Sequence, residues 1–149
     1  VRKGFTNTTA LTGLMGRWQT ISESPHIVCD AGHNIGGIEY VSRQLETQEC
    51  DTLRIVFGMV SDKDITAVLA MMPKKAEYYF TQASIQRAMP AVELQKKAAT
   101  FGLHGNRYPD VPAALAAAKA DSNADDFIFI GGSCFIVADL LASISLNSL

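Results

Sequence analysis

The sequence predicts an α/β fold: a six-stranded, mostly parallel sheet with an N-terminal β-hairpin and helices on both faces, a three-layer sandwich. Three observations predict it. Short apolar runs alternate with segments of helical periodicity along most of the 149-residue chain, and such alternation implies parallel strands joined by crossover helices. Phe127–Ile130 is apolar throughout, as expected of a strand covered on both faces. Near the start, two apolar runs flank Ser24-Pro25 and read as a hairpin.

Taken in order, Val1–Gly16 is rich in Thr and Gly with weak periodicity and reads as a connector. Trp18–Ser22 and His26–Cys29 are the hairpin strands. Ile38, Val41 and Leu45 fall at helical spacing and predict a helix from Asn34 to Glu46. Leu53–Val60 reads as a buried strand ending at Gly58, and Ile65, Val68, Leu69 and Met72 share one face of a second helix that Pro73 ends. Tyr78–Thr81 is the next core strand, followed by a helix from Ala88 to Thr100 that stops at Gly102. Leu103–Tyr108 reads as a short strand. Asp110 caps an alanine-rich helix that tolerates Pro112 in its first turn. After Phe127–Ile130, the closing helix is expected to turn Phe135, Ala138 and Leu141 to the core. The layering is Rossmann-like.

Hydrophobic content of 48%, 19% charged residues and a net charge of −2 supply no electrostatic argument for nucleic acid or an anionic membrane. Cys29, Cys50 and Cys134 are odd in number and widely spaced, which argues against a disulfide framework or zinc knuckle and for buried reduced thiols in a cytoplasmic protein. The greasy stretch Phe127–Leu146 is broken by Gly131-Gly132-Ser133 and carries Asp139, so it reads as strand plus helix and not a membrane span. Arg2-Lys3-Gly4 leads into a polar stretch, so no secretory signal is expected. Neither a Gly-x-x-x-x-Gly-Lys-Ser/Thr loop nor a Gly-x-Gly-x-x-Gly fingerprint occurs, and the chain, starting without Met, reads as the tail of something larger.

Sheets of this kind bind ligands beyond the carboxyl ends of their strands. Four loops should meet there: Asp30–Asn34, Gly58–Asp64, Thr81–Arg87 and Gly131–Ser133. Asp30 can accept from a ribose or hold a cation, or form an Asx-turn or cap. His33 can bind a phosphate or carboxylate or act as a base near neutral pH, or be an ordinary loop residue. Cys29 and Asp30 lack metal-ligand spacing to His33, so no metal site is expected. Lys63, between Asp62 and Asp64, suits either an anion or a solvated turn. Gly131-Gly132-Ser133 offers backbone N–H groups and a hydroxyl to an anion, or is a tight strand-to-helix turn. It lacks the Gly-x-Ser-x-Gly pattern of a hydrolase elbow. Arg17 can fork a phosphate, Trp18 can pack on a base or fill the core, and Arg87 follows a core strand toward the same crevice.

Gly16-Arg17, Asp30-x-x-His33-Asn34, Gly58-Met59-x-x-Asp62-Lys63-Asp64, Arg87-Ala88 and Gly132-Ser133 resemble, in order and spacing, the C-terminal domain of folylpolyglutamate synthase/dihydrofolate synthase. These are ATP-dependent amide ligases of the Mur-ligase-like superfamily. The resemblance runs from about Gly13 onward. It implies that residues 1–15 connect to a missing central ATPase domain, which brings the phosphate loop and most Mg2+ ligands, and that 16–149 form the glutamate-binding domain. It further implies ATP, L-glutamate and a folate or dihydropteroate substrate as partners. By matched position, Arg17 would touch the ATP phosphates and Asp30 the ribose. His33 and Asn34 would lie at the chemistry, and Lys63, Ser133 and Arg87 at the glutamate. The family usually reads Asp-Gly-Ala-His-Asn, whereas this chain has Ala31-Gly32. That swap moves the φ-permissive position by one residue and is expected to re-aim the His33 backbone. Two other classes fit the residues: a stand-alone nucleotide- or anion-binding regulatory module, and the equivalent domain of a peptidoglycan ligase.

Overall fold

Alternation along the central strands builds the three layers. The computed structural model describes residues 18–23, 25–32, 34–61 and 65–147, with side chains described to residue 144. In β6 (Phe127–Gly131), Phe127 and Phe129 enter one apolar layer while Ile128 and Ile130 enter the other. In β3 (Leu53–Phe57) the split is Leu53, Ile55 and Phe57 against Val56, and in β4 (Glu77–Phe80) it is Tyr78 and Phe80 against Tyr79. The first layer is covered by α1 (Ile35–Glu46), α2 (Ile65–Met71) and α3 (Ala91–Ala99), through Ile38, Val41, Leu45, Val68, Leu69 and Leu94. The second is covered by α4 (Val111–Asp121) and α5 (Cys134–Asn147), through Ala114, Leu115, Ala118, Ile136, Val137 and Leu140.

With β1 (Gln19–Glu23), β2 (His26–Asp30) and β5 (Gly105–Arg107), the sheet has six strands in the order β1-β2-β6-β3-β4-β5. β1 is antiparallel to β2, and every other pairing is parallel. The expected α/β sandwich is therefore present. β6 inserts between β2 and β3 and exits toward α5 on one face, whereas its two neighbours exit toward α1 and α2 on the other. Loops that part to opposite faces open a crevice at that edge.

Local expectations met different fates. Asp110 caps α4 by accepting from the Ala113 N–H at 2.9 Å. Asn34 caps α1 in the same way through Gly37 N at 2.9 Å. β3 stops at Phe57 and not Val60, because Val60 instead forms an antiparallel bridge with Ala88. α3 begins at Ala91, three residues later than the periodicity predicts. Pro90 disfavours helical geometry at Met89, and Gln82 Oε1 accepts from Ala91 N at 2.8 Å where Pro90 has no side-chain cap to offer. α5 is rotated from its expected face: Ile136, Val137 and Leu140 are buried, Phe135 and Leu141 are half-buried, and Ala138 is exposed. The thiols also differ from expectation, since Cys29 is buried but Cys134 is exposed. Among the described residues no helix is long and apolar enough to cross a membrane.

The opposite edge of the sheet is held by a buried polar network. Asp126, 2% exposed, accepts from Arg54 Nε at 3.0 Å and from the backbone N–H groups of Thr52 and Asn123 at 3.2 Å each. Arg54 also donates to the Tyr79 hydroxyl at 2.9 Å, which donates in turn to Asp121 at 2.8 Å. Burial works against the Arg54 charge, but its bonds to Tyr79 and Asp126 outweigh that and favour the cation. Removing one partner of such a pair leaves the other charge uncompensated, so Asp126→Ala is expected to lower the unfolding free energy by about 3 kcal/mol in urea denaturation.

Burial, reinforced by the Asp30 charge, pushes the Cys29 thiol from 9.0 up to about 12. Burial and the bond to Asp121 push the Tyr79 phenol from 10.0 up to about 12. Both groups stay neutral in the fold where the unfolded chain would ionise. Their contribution to stability is thus full below about pH 9 and is lost as the pH rises toward about 12. Urea midpoints compared at about pH 8 and about pH 11 should fall at the higher value, and Tyr79→Phe should reduce the drop.

Candidate functional site

Asp30 closes β2 with its side chain 4% exposed to solvent. Its Oδ1 accepts from the Gly32 N–H at 2.7 Å, and its Oδ2 accepts from the Trp18 N–H at 2.8 Å. The Asx-turn is therefore real, yet a carboxylate offers about four lone-pair sites and these two bonds do not by themselves exhaust it. Trp18 is held at φ 46° and stacks on Phe127 and Phe129, with ring centroids 6.2 and 6.0 Å away. The core, not a ligand base, takes this ring.

Beyond Asp30 the loop runs tightly against the start of α1. A Cβ on Gly32 would lie 3.0 Å from Asp30 Oδ1 and 3.2 Å from the Gly37 backbone. Gly32 does not use the left-handed region, so closeness of approach and not φ freedom accounts for glycine here. The φ-permissive role expected of Gly32 is thus not used, while the His33 backbone lies outside the described residues. A cleft of about 510 Å³ opens beside the loop, with Asp30, Gly32, Asn34, Gly37, Tyr40 and Cys134 in its walls. The Asn34 cap employs its side-chain oxygen, and the amide nitrogen, with two N–H donors, is not used by that cap.

The next loop turns at Gly132, whose φ of +104° and contact with the Gly58 carbonyl exclude a side chain. Ser133, 2% exposed, caps α5 by accepting from Phe135 N at 3.0 Å. Arg87 sits over the Phe135 ring, its Cζ 5.6 Å from the centroid. The Arg87 carbonyl accepts from Ser61 N at 2.8 Å, and with the Val60–Ala88 bridge this clips the loops after β3 and β4 together. The first turn of α5 thus joins two places: Cys134 lines the Asp30 cleft, and Phe135 lies under Arg87.

Of the expected site residues, the structure brings Asp30 and Asn34 into one cleft, puts Ser133 on the adjoining turn, and sets Arg87 beyond it. Arg17, His33 and Lys63 lie outside the described residues, as does the expected connector. Among the described residues no three His, Cys, Asp or Glu side chains gather to hold a metal ion.

A family profile covers most of this edge and the sheet beneath it: that of the Mur ligase, glutamate ligase domain matches residues 16–134. The chain belongs to that family. Dihydrofolate synthase/folylpolyglutamate synthase of Escherichia coli is 30% identical over 130 residues, spanning 86% of this chain and 30% of the relative. The enzyme of the same name from Buchnera aphidicola is 27% identical over 132 residues, spanning 87% and 31%. Among solved structures, Escherichia coli FolC in complex with DHPP and ADP superposes with a TM-score of 0.82 at 28% identity, covering 91% of this chain and 32% of that one. The Yersinia pestis bifunctional folylpolyglutamate synthase/dihydrofolate synthase complexed with AMPPNP and Mn ion gives 0.77 at 29%, covering 88% and 31%. This glutamate ligase domain thus spans about a third of the length of these relatives.

Sequence reasoning missed two wall residues of the glutamate ligase domain, Tyr40 and Cys134. Tyr40 carried a signal: it is an aromatic on the polar face of a helix whose apolar face is Ile38, Val41 and Leu45. Cys134 carried none, since a thiol after Ser133 reads equally as core. A third feature is the buried Thr81 hydroxyl just after β4, which has no hydrogen-bond partner among the described residues.

Two outcomes follow for the domain. Asp30→Ala leaves the Trp18 and Gly32 N–H groups without their acceptor, at about 1–3 kcal/mol for a buried donor. Urea unfolding followed by the fluorescence of Trp18, the sole Trp, should show a loss of about 2 kcal/mol or more; an unchanged midpoint would show that the clamp contributes nothing. In native protein, a thiol reagent should modify Cys134 and spare Cys29 until the chain unfolds, as mass mapping of labelled peptides can read.

Proposed function

We propose that this chain is the C-terminal, glutamate-binding domain of an ATP-dependent folate:glutamate amide ligase, acting as folylpolyglutamate synthase, dihydrofolate synthase or both. The observation that carries the reading is the cleft at the carboxyl edge of the sheet, walled by Asp30 and Asn34, in a glutamate ligase domain whose matched relatives bear those names. Those names favour folate over peptidoglycan as the substrate class. A central ATPase domain, joined through residues 1–15, supplies the phosphate loop that this sequence lacks, and residues 16–149 close over it. The share of the relatives' length that the chain spans supports this division.

In the reaction, ATP phosphorylates the carboxylate of a dihydropteroate or folate substrate. The amine of L-glutamate attacks the acyl phosphate, and the amide, ADP and phosphate are the products. Arg17 binds the ATP phosphates, and Asp30 accepts from the ribose hydroxyls. His33 and Asn34 stand beside the transferring phosphate and the incoming amine, where negative charge develops and preorganised donors stabilise it. Lys63 and Ser133 bind the glutamate carboxylates, Ser133 through the O–H that remains to donate while its oxygen caps α5, and Arg87 assists from the adjoining loop. Mg2+ neutralises the phosphates when bound. Its ligands are assigned mainly to the ATPase domain. A cytoplasmic location accords with three free thiols.

Two measurements test the reading. In the full-length enzyme, Lys63→Ala should raise the KM for glutamate about tenfold or more, the loss of one charge-assisted hydrogen bond, with little change in the KM for ATP. The 149-residue chain alone should neither hydrolyse ATP nor ligate glutamate. Ligation by this chain alone, or a glutamate KM indifferent to Lys63, would sink the proposal.

A further inference from the structure

We infer that Tyr40 is the surface on which the nucleotide base lies, making it an affinity-determining residue of the cleft. The inference rests on the reading that this cleft takes ATP.

The large aliphatic residues of the α1 core face, Ile38, Val41 and Leu45, are all 2% exposed or less, yet Tyr40 is 54% exposed and lines the cleft that Asp30 lines. One helical turn before it stand Gly36 and Gly37, so the helix surface between the ring and the Asp30 loop carries no side chains. Among the described residues, a Cβ on Gly36 would meet only Asn34 Oδ1, at 3.8 Å, an ordinary van der Waals contact, so nothing crowds that position. The cleft therefore has a bare backbone floor, an aromatic wall at one end and a carboxylate at the other. A planar heterocycle fits the wall, because a phenol ring offers rigid apolar area to a π-face of any orientation in its plane. A sugar carried by that heterocycle reaches the carboxylate with hydroxyl donors. The Asp30 charge disfavours the alternative cargo at this end, a glutamate carboxylate, by like-charge repulsion.

The test compares Tyr40→Ala, Tyr40→Leu and Tyr40→Phe in the full-length enzyme. Loss of the ring should raise the KM for ATP about tenfold, the scale of one base–aromatic stack, while kcat and the glutamate KM stay within about twofold. Phe should restore the ATP KM. Inhibition by inorganic tripolyphosphate, which has no base, should be the same in all variants. Tyr40→Leu keeps apolar bulk on the helix and guards against a folding defect in the Ala variant. The inference is overturned if the ATP KM is unchanged in both ring-loss variants, or if Phe is as impaired as Ala. A rise in the KM of the folate substrate in place of that for ATP overturns it as well, since the wall would then serve a pterin. If the unsubstituted enzyme needs no ATP at all, the parent reading fails, and that result is told apart by the wild-type assay alone.

Discussion

The Asp30 carboxylate is the interaction on which the carboxyl edge of the molecule depends. It is nearly sealed from solvent, and burying a charge is costly unless hydrogen bonds replace its water. Two backbone N–H groups do so, one from Gly32 and one from Trp18. The first bond turns the chain back onto α1 and sets the wall of the cleft. The second reaches across twelve residues and fixes where the chain enters β1. Trp18 adopts an uncommon backbone conformation for a bulky residue, an expense of about 1–3 kcal/mol. The stack of its ring on Phe127 and Phe129 and the bond to Asp30 offset it together. A residue that serves a ligand in the proposed reaction is therefore also the residue that organises the loop presenting it.

The two edges of the sheet are built by different means. At the amino edge, Arg54, Asp126, Tyr79 and Asp121 form a connected set of bonds that runs from buried Asp126 out to exposed Asp121. Such networks hold one arrangement because every member is satisfied by the others. At the carboxyl edge, glycines bring backbone against backbone: Gly32 on Gly37, and Gly132 on Gly58. That construction fixes the loops without filling the crevice between them. The split of β6 from its neighbours, one loop to α5 and two to the opposite face, supplies the space, and the small residues keep it open.

Much of this was legible in the sequence, and the failures have physical causes. Ile38, Val41 and Leu45 identified the buried face of α1 because Glu39, Arg43, Gln44 and Glu46 leave no competing apolar stripe. α5 defeated the same reasoning: it is apolar on nearly every side, so periodicity cannot select Ile136, Val137 and Leu140 over Phe135, Ala138 and Leu141. The strand-to-helix turn at Gly132 selects them, and that turn is a tertiary fact. Val60 looked like strand because it is buried, but its partner is Ala88, a pairing that no local pattern announces. Pro90 was visible and marks the true start of α3. At the site, the convergence of four loops was readable from the alternation of elements, while the occupied state of Asp30 was not, since Trp18 reaches it from outside its own loop.

The order Ala31-Gly32 illustrates how a departure from a family pattern can be read physically. Ala31 is half-buried, and its methyl packs with the layer that includes Cys29 and Ile130. Gly32 faces the opposite way, against Asp30 Oδ1 and the Gly37 backbone at distances that leave no room for a methyl without a shift of a few tenths of an ångström. The Ala-Gly order thus puts the methyl where the core accepts it and omits it where the helix start comes close. With the reverse order, the start of α1 would have to stand farther from the loop, and Gly37 would lose its reason to be glycine. The swap and the Gly36-Gly37 pair are then one device. Together they draw the first turn of α1 against the Asp30 loop and leave Tyr40, one turn on, as the exposed side chain of that helix that borders the cleft.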